Sequence, residues 1–123
     1  MAVVGSNHQF IYSDVGSNGS LSDGGIFRNC SLFEVLENVL LPNNGVIVGD
    51  DAFPLKTYHM KLYPGANLAY DEKIYNYRLS RARKISENGF RILVSRFRVF
   101  EKPTVCNVTT IDKIVRTSCA LHN

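Results

Sequence analysis

The sequence predicts an α/β layered domain, with a short central sheet and flanking helices. Three observations carry this expectation. Short runs of branched and aromatic residues at Ala2–Val4, Phe10–Val15 and Val46–Val48 read as strands. Capping signals open helices between and after them. From about Asp71 to Phe97 no proline intervenes, and Tyr75, Leu79, Ala82, Gly89, Leu93 and Phe97 recur at helical spacing. With 123 residues, 45% hydrophobic and 20% charged, the chain suits one modest globular domain spanning residues 1–123.

Taken in order, the first two strands flank a Gly-Ser-Asn-His turn and form a predicted hairpin. Gly16 to Ser20 reads as a flexible loop. Ser22 and Asp23 cap a first short helix, and Ser31 with Glu34 makes a capping box for a second that runs to about Leu40. Pro42-Asn43-Asn44-Gly45 breaks it. Gly45 to Gly49 is a continuous apolar run between turn residues, the pattern of a strand buried on both faces, with Asp50 and Asp51 at its C-terminal end. Pro54 opens a predicted short helix through about Met60, closed by Tyr63-Pro64-Gly65. The long helix follows, Pro103 ends that region, and Thr109 with Asp112 caps a last helix through about Leu121. Two hairpin strands and one buried strand do not complete a sheet, so a further strand is expected upstream.

The apolar runs fall far short of the roughly 20 residues a membrane span needs. The N-terminus lacks the basic flank and apolar core of a secretory signal, so the expected location is nuclear or cytoplasmic. Cys30, Cys106 and Cys119 are odd in number and widely spaced, which fits a reducing compartment. The N-x-S/T triplets at Asn18, Asn29 and Asn107 then read as loops and caps. His8, His59 and His122 share no metal-ligand spacing with one another or with the cysteines.

Net charge is only +3, but the basic residues cluster. Nine of them lie between Lys73 and Lys102, against Glu87 and Glu101. Such a stripe either neutralises phosphates or forms a solvated helix face. Acids at the end of a strand in an α/β fold stand where ligands bind, which singles out Asp50. Asp50 or Asp51 could equally cap the helix expected near Pro54. Glu87, between Arg83 and Arg91, is either one half of an i,i+4 ion pair or, with Asp50, a hard oxygen ligand for Mg²⁺ or Mn²⁺.

The stretches Phe10 to Phe27, Val46-Ile-Val-Gly-Asp-Asp-Ala-Phe-Pro-Leu55, Tyr75-Asn-Tyr-Arg-Leu-Ser-Arg-Ala-Arg83, Glu87 to Phe100 and Ile114 to Asn123 resemble the nuclease domain of PIF/Harbinger-type transposases, a group of DDE superfamily endonucleases. Nearly the whole chain is covered. The resemblance implies the C-terminal part of a truncated RNase H-like fold whose first strand, with the first catalytic aspartate, is missing. It implies that Asp50 and Glu87 are catalytic, metal-ligating acids for a divalent metal, Mg or Mn. The 36 residues between them fit the D-D-E arrangement. It further implies DNA as substrate, with Arg78, Arg81, Arg83, Arg96 and Arg98 near it, and a Myb-like DNA-binding partner protein. The chain departs from the family at Phe90-Arg91, where a Phe-Gly pair is usual, and at Gly5, where an Asp is common. With one acid of three missing, no useful nuclease activity is expected of the fragment alone. The alternative is a non-catalytic DNA- or protein-binding remnant of a domesticated transposase.

Overall fold

A computed structural model of the chain describes residues 1–16, 22–38, 41–42, 45–103 and 105–123. The loop expected at 17–20, the end of the second helix at Val39 and Leu40, and the Asn43-Asn44 breaker lie outside the described residues. The architecture is mixed α/β, and the chain divides into two units, residues 1–18 with 84–123 and residues 19–83. No helix among the described residues is long and apolar enough to cross a membrane.

The first unit begins with the expected hairpin, β1 (Ala2–Val4) antiparallel to β2 (Phe10–Ser13). Ala2 faces Ser13 and Val3 faces Tyr12, but Val4 faces Phe10, so a bulge falls between Val3 and Val4. The turn closes through Gly5 N–H to the Gln9 carbonyl (2.8 Å) and His8 N–H to the Gly5 carbonyl (2.9 Å), with His8 in the left-handed region at φ 66°. The last helix, which we call α4, covers Val108–His122. Its cap is Asn107, whose side chain accepts from Thr110 N–H at 2.8 Å, two residues earlier than the expected Thr109. Phe10, Leu93 and Cys119 form the buried core, with Val4, Phe97, Phe100 and Val115 packed around it. At the C-terminus Asn123 acts as a short strand would: its side chain accepts from Phe10 N–H (2.8 Å) and donates to the Phe10 carbonyl (3.0 Å).

The second unit opens with α1 (Asp23–Arg28), capped as expected by Ser22, whose hydroxyl accepts from Gly25 N–H at 3.3 Å. Helix α2 (Ser31–Asn38) follows after Asn29 and Cys30. Strands β3 (Ile47–Val48) and β4 (His59–Met60) pair in parallel, Ile47 with His59 and Val48 with Met60. Phe27 centres an aromatic cluster, edge-to-face with Phe33 and Phe53 at 5.4 Å each. Helix α3 (Tyr70–Arg96) matches the expected long helix and contributes its residues through 83 to this unit and the rest to the other. Glu72 reaches back to accept from Ala69 N–H at 2.8 Å and so fixes where α3 starts.

Two expectations are corrected here. The segment from Pro54 to Met60 is not a helix. Lys56 and His59 exchange both backbone hydrogen bonds at 3.1 Å, Tyr58 gives its carbonyl to Ile47 N–H (2.7 Å), and β4 follows. Those groups, committed to a turn and a ladder, are lost to the i to i+4 bonds of a helix, and Thr57, Tyr58 and His59 are weak helix formers. The Val46 run is also less enclosed than expected: β3 is two residues long and half-buried, and Val46 is 46% exposed. The described strands pair two by two, so β3 has β4 as its neighbour rather than a central sheet.

Candidate functional site

Asp50 follows the last residues of β3 and is half-buried. The ladder delivers it: Gly49 N–H donates to the Met60 carbonyl at 3.1 Å, the last bond before the chain turns away. Ala52 N–H then donates to Asp50 Oδ1 (3.0 Å) and Phe53 N–H to the Asp50 carbonyl (3.3 Å). The aspartate thus organises its own turn, as short acidic side chains do. It does not cap a helix, because no helix starts there. Asp51 is exposed.

Beneath this turn lies His59, the most buried side chain described, at 2% exposure. Its Nδ1 is 3.0 Å from the Pro54 carbonyl and must donate to it, which leaves Nε2 as the unprotonated nitrogen. The ring stands 5.5 Å from that of Phe53 and lies so close to Gly49 that a Cβ there would overlap Nε2. Burial pushes the His59 pKa below its ordinary value, against the opposing pull of the Pro54 carbonyl and the Asp50 charge, so the ring is neutral near neutral pH. In the sequence His59 stands at no metal-ligand spacing from the other histidines or the cysteines. A signal was present, since only a residue without a side chain at Gly49 lets such a ring close against the strand end.

Glu87 belongs to the other unit and sits exposed on α3. Among the described residues no group of three or more His, Cys, Asp or Glu stands together as a metal site. Asp50 and Glu87 are each hard oxygen donors of the kind Mg²⁺ and Mn²⁺ take.

Of the five arginines expected near DNA, Arg78 and Arg81 are exposed on the first part of α3, and Arg83 is half-buried. At ~100° per residue, Arg83 projects about 160° from Arg81. The Arg81 guanidinium lies over the Tyr77 ring, 5.9 Å from its centroid. In the other unit Arg96 donates to the His122 carbonyl at 3.3 Å, and Arg98 is exposed at the start of a 3₁₀ turn, Arg98–Phe100.

The sequence model of the family described as DDE superfamily endonuclease matches residues 1–123. The protein called ALP1-like in Arabidopsis thaliana is 25% identical over 135 residues, which cover 99% of this chain and 33% of that protein. The chain therefore spans about a third of the relative it matches. No solved structure matches.

Proposed function

The chain belongs to the DDE superfamily endonuclease family, and from that premise we propose that it forms part of a divalent-metal-dependent, transposase-derived nuclease acting on DNA phosphodiesters. In this reading Asp50 and Glu87 are two of the three acids of an RNase H-like active site. The observation that carries it is the placing of Asp50 two residues past the end of β3, with its carboxylate held by Ala52 N–H and its strand end backed by His59. A bound Mg²⁺ or Mn²⁺ would supply Lewis-acid stabilisation of the charge that develops on the phosphate oxygens. What these residues themselves do is hold the Asp50 carboxylate in place. The Ala52 bond restricts Asp50 to one orientation, and His59, packed under Gly49, keeps the strand end from shifting. The arginines Arg78, Arg81, Arg83, Arg96 and Arg98 are proposed to lie near the DNA, and a Myb-like protein is proposed as the partner that brings the nuclease to its target in the nucleus.

Residues 1–123 hold two of the three acids, so this segment by itself does not cleave. In-line displacement at phosphorus needs the full charge and geometry of the ligand set, and effects of groups that act as a unit are not additive. The test is plasmid cleavage with Mg²⁺ or Mn²⁺ by the 123-residue chain, alone and joined to an upstream segment that supplies the first aspartate. Cleavage only by the joined protein, abolished by Asp50→Asn or by Glu87→Gln, supports the proposal. Robust cleavage by the chain alone overturns the division of labour, and cleavage indifferent to both substitutions overturns the site. DNA retention with no cleavage in either form would instead favour the non-catalytic remnant.

A further inference from the structure

We infer that the exposed face of α3 formed by Tyr70, Lys73, Tyr77 and Arg81 is a stacking platform for single-stranded DNA. The inference rests on the reading of the protein as one that acts on DNA, and it specifies the form of DNA that this face holds.

The four residues are spaced i, i+3, i+7 and i+11, so at ~100° per residue they fall within about 80° of the helix circumference. All four are exposed, Tyr70 by 78% and Tyr77 by 64%. The acids of this segment, Asp71 and Glu72, lie outside the arc, and Glu72 is engaged at Ala69 N–H. The stripe is therefore aromatic and cationic without a carboxylate in it.

Outside this arc the helix is tied down. Tyr75 donates its hydroxyl to the Lys61 carbonyl (3.3 Å), and Asn76 accepts from Tyr63 N–H (2.9 Å) and donates to the Tyr63 carbonyl (3.1 Å). Leu79 is buried on the same side. Among the described residues, helix packing here thus uses Tyr75, Asn76 and Leu79, while Tyr70 and Tyr77 stay largely exposed. Two tyrosines spaced seven residues apart stand about 10 Å apart along the axis of a fixed helix. Arg81 over the Tyr77 ring holds that ring in place while presenting guanidinium N–H groups to a phosphate.

Rings on a rigid surface with cations between them are the arrangement that binds unpaired nucleotides, since bases stack on the rings and phosphates meet the cations. Duplex DNA keeps its bases stacked on one another and offers this face only its phosphates. A platform of this kind therefore prefers a single strand, whereas a merely solvated basic face would not.

The experiment measures binding of the 123-residue chain to a fluorescently labelled oligo-dT and to a labelled duplex of equal length. The expected result is tighter binding of oligo-dT. Tyr77→Ala and Tyr70→Ala should each weaken oligo-dT binding by about tenfold, with duplex binding little changed. Tyr77→Phe, which keeps the ring, should retain the affinity. Joint Lys73→Gln and Arg81→Gln substitution should flatten the logarithmic salt dependence for oligo-dT by about 1.4. Both tyrosines are exposed, so circular dichroism of the alanine variants should match the parent. Equal affinity for the two DNA forms, oligo-dT binding indifferent to Tyr77→Ala, or no binding to either form overturns the inference. Loss of the nuclease reading would appear separately, in cleavage that ignores Asp50→Asn, and leaves this comparison unaffected.

Discussion

At Gly49 a single hydrogen atom in place of a side chain lets the His59 ring close against the end of β3. Gly49→Ala would drive a methyl group into His59 Nε2 and to within 3.0 Å of the Phe53 ring. We expect a destabilisation of about 1–3 kcal/mol in urea unfolding, as for other overpacked interiors. A second cluster in the same unit responds to pH. Glu37 accepts from the Tyr58 hydroxyl at 2.5 Å and pairs with Lys56 at 2.8 Å. The Lys56 and Tyr58 hydrogen bonds hold the Glu37 carboxyl below its ordinary range, while burial and the Glu37 charge push Tyr58 up to about 12. A phenol whose folded pKa exceeds its unfolded value of about 10 favours folding while protonated. Stability should therefore fall as pH rises from about 10 towards 12. Glu37 works in the other direction, and its contribution should fade as pH drops below about 4.5. Spectroscopic titration should show Tyr58 ionising late, and Tyr58→Phe should remove both that late step and the alkaline loss.

Among the elements, α4 shows most clearly how local competition decides a boundary. Asn107 and Thr109 are both capping residues, and the observed cap bond joins the Asn107 side chain to Thr110 N–H. Asn107→Ala should cost about 1 kcal/mol in urea unfolding, with Thr109→Ala well below that. The far end of the same helix is fastened by Asn123, whose amide makes two bonds with the Phe10 backbone. Asn123→Ala leaves both Phe10 groups to find other partners, at a cost of about 1–3 kcal/mol. Hydrogen exchange at Phe10 N–H should accelerate in that variant and stay slow in Asn107→Ala.

For the molecule as a whole, the nuclease reading requires Asp50 of one unit and Glu87 of the other to serve the same ions. Iron(II) substituted for the divalent metal, with hydrogen peroxide as oxidant and ascorbate to restore iron(II), generates hydroxyl radicals that cut the nearest backbone. In the protein joined to its upstream segment, cuts should fall near residue 50 and near residue 87 in the same sample, and Asp50→Asn should remove both sets. Cuts confined to one of the two places would mean that the acids do not share a metal.

Much of this was legible because it depends on neighbours in sequence. The hairpin from Ala2 to Ser13, the Ser22 cap and the span of α3 follow from turn residues, capping side chains and apolar spacing, all of which act within a few positions of the chain. The family was legible in a different way, through the motifs that hold Asp50 and Glu87, and the family match covers those motifs. Tertiary structure alone decided the rest. Proline before an apolar segment allowed a helix at 54–60, but pairing with β3 and the Lys56–His59 turn took its backbone groups, and hydrogen bonds to residues distant in sequence outweigh helix propensities of tenths of a kcal/mol. The burial of His59 was equally hidden, because it depends on Gly49, Phe27 and Phe53 meeting around one ring. Local pattern determines which segments can form an element, and the competition for backbone groups and buried volume among distant segments determines which of them do.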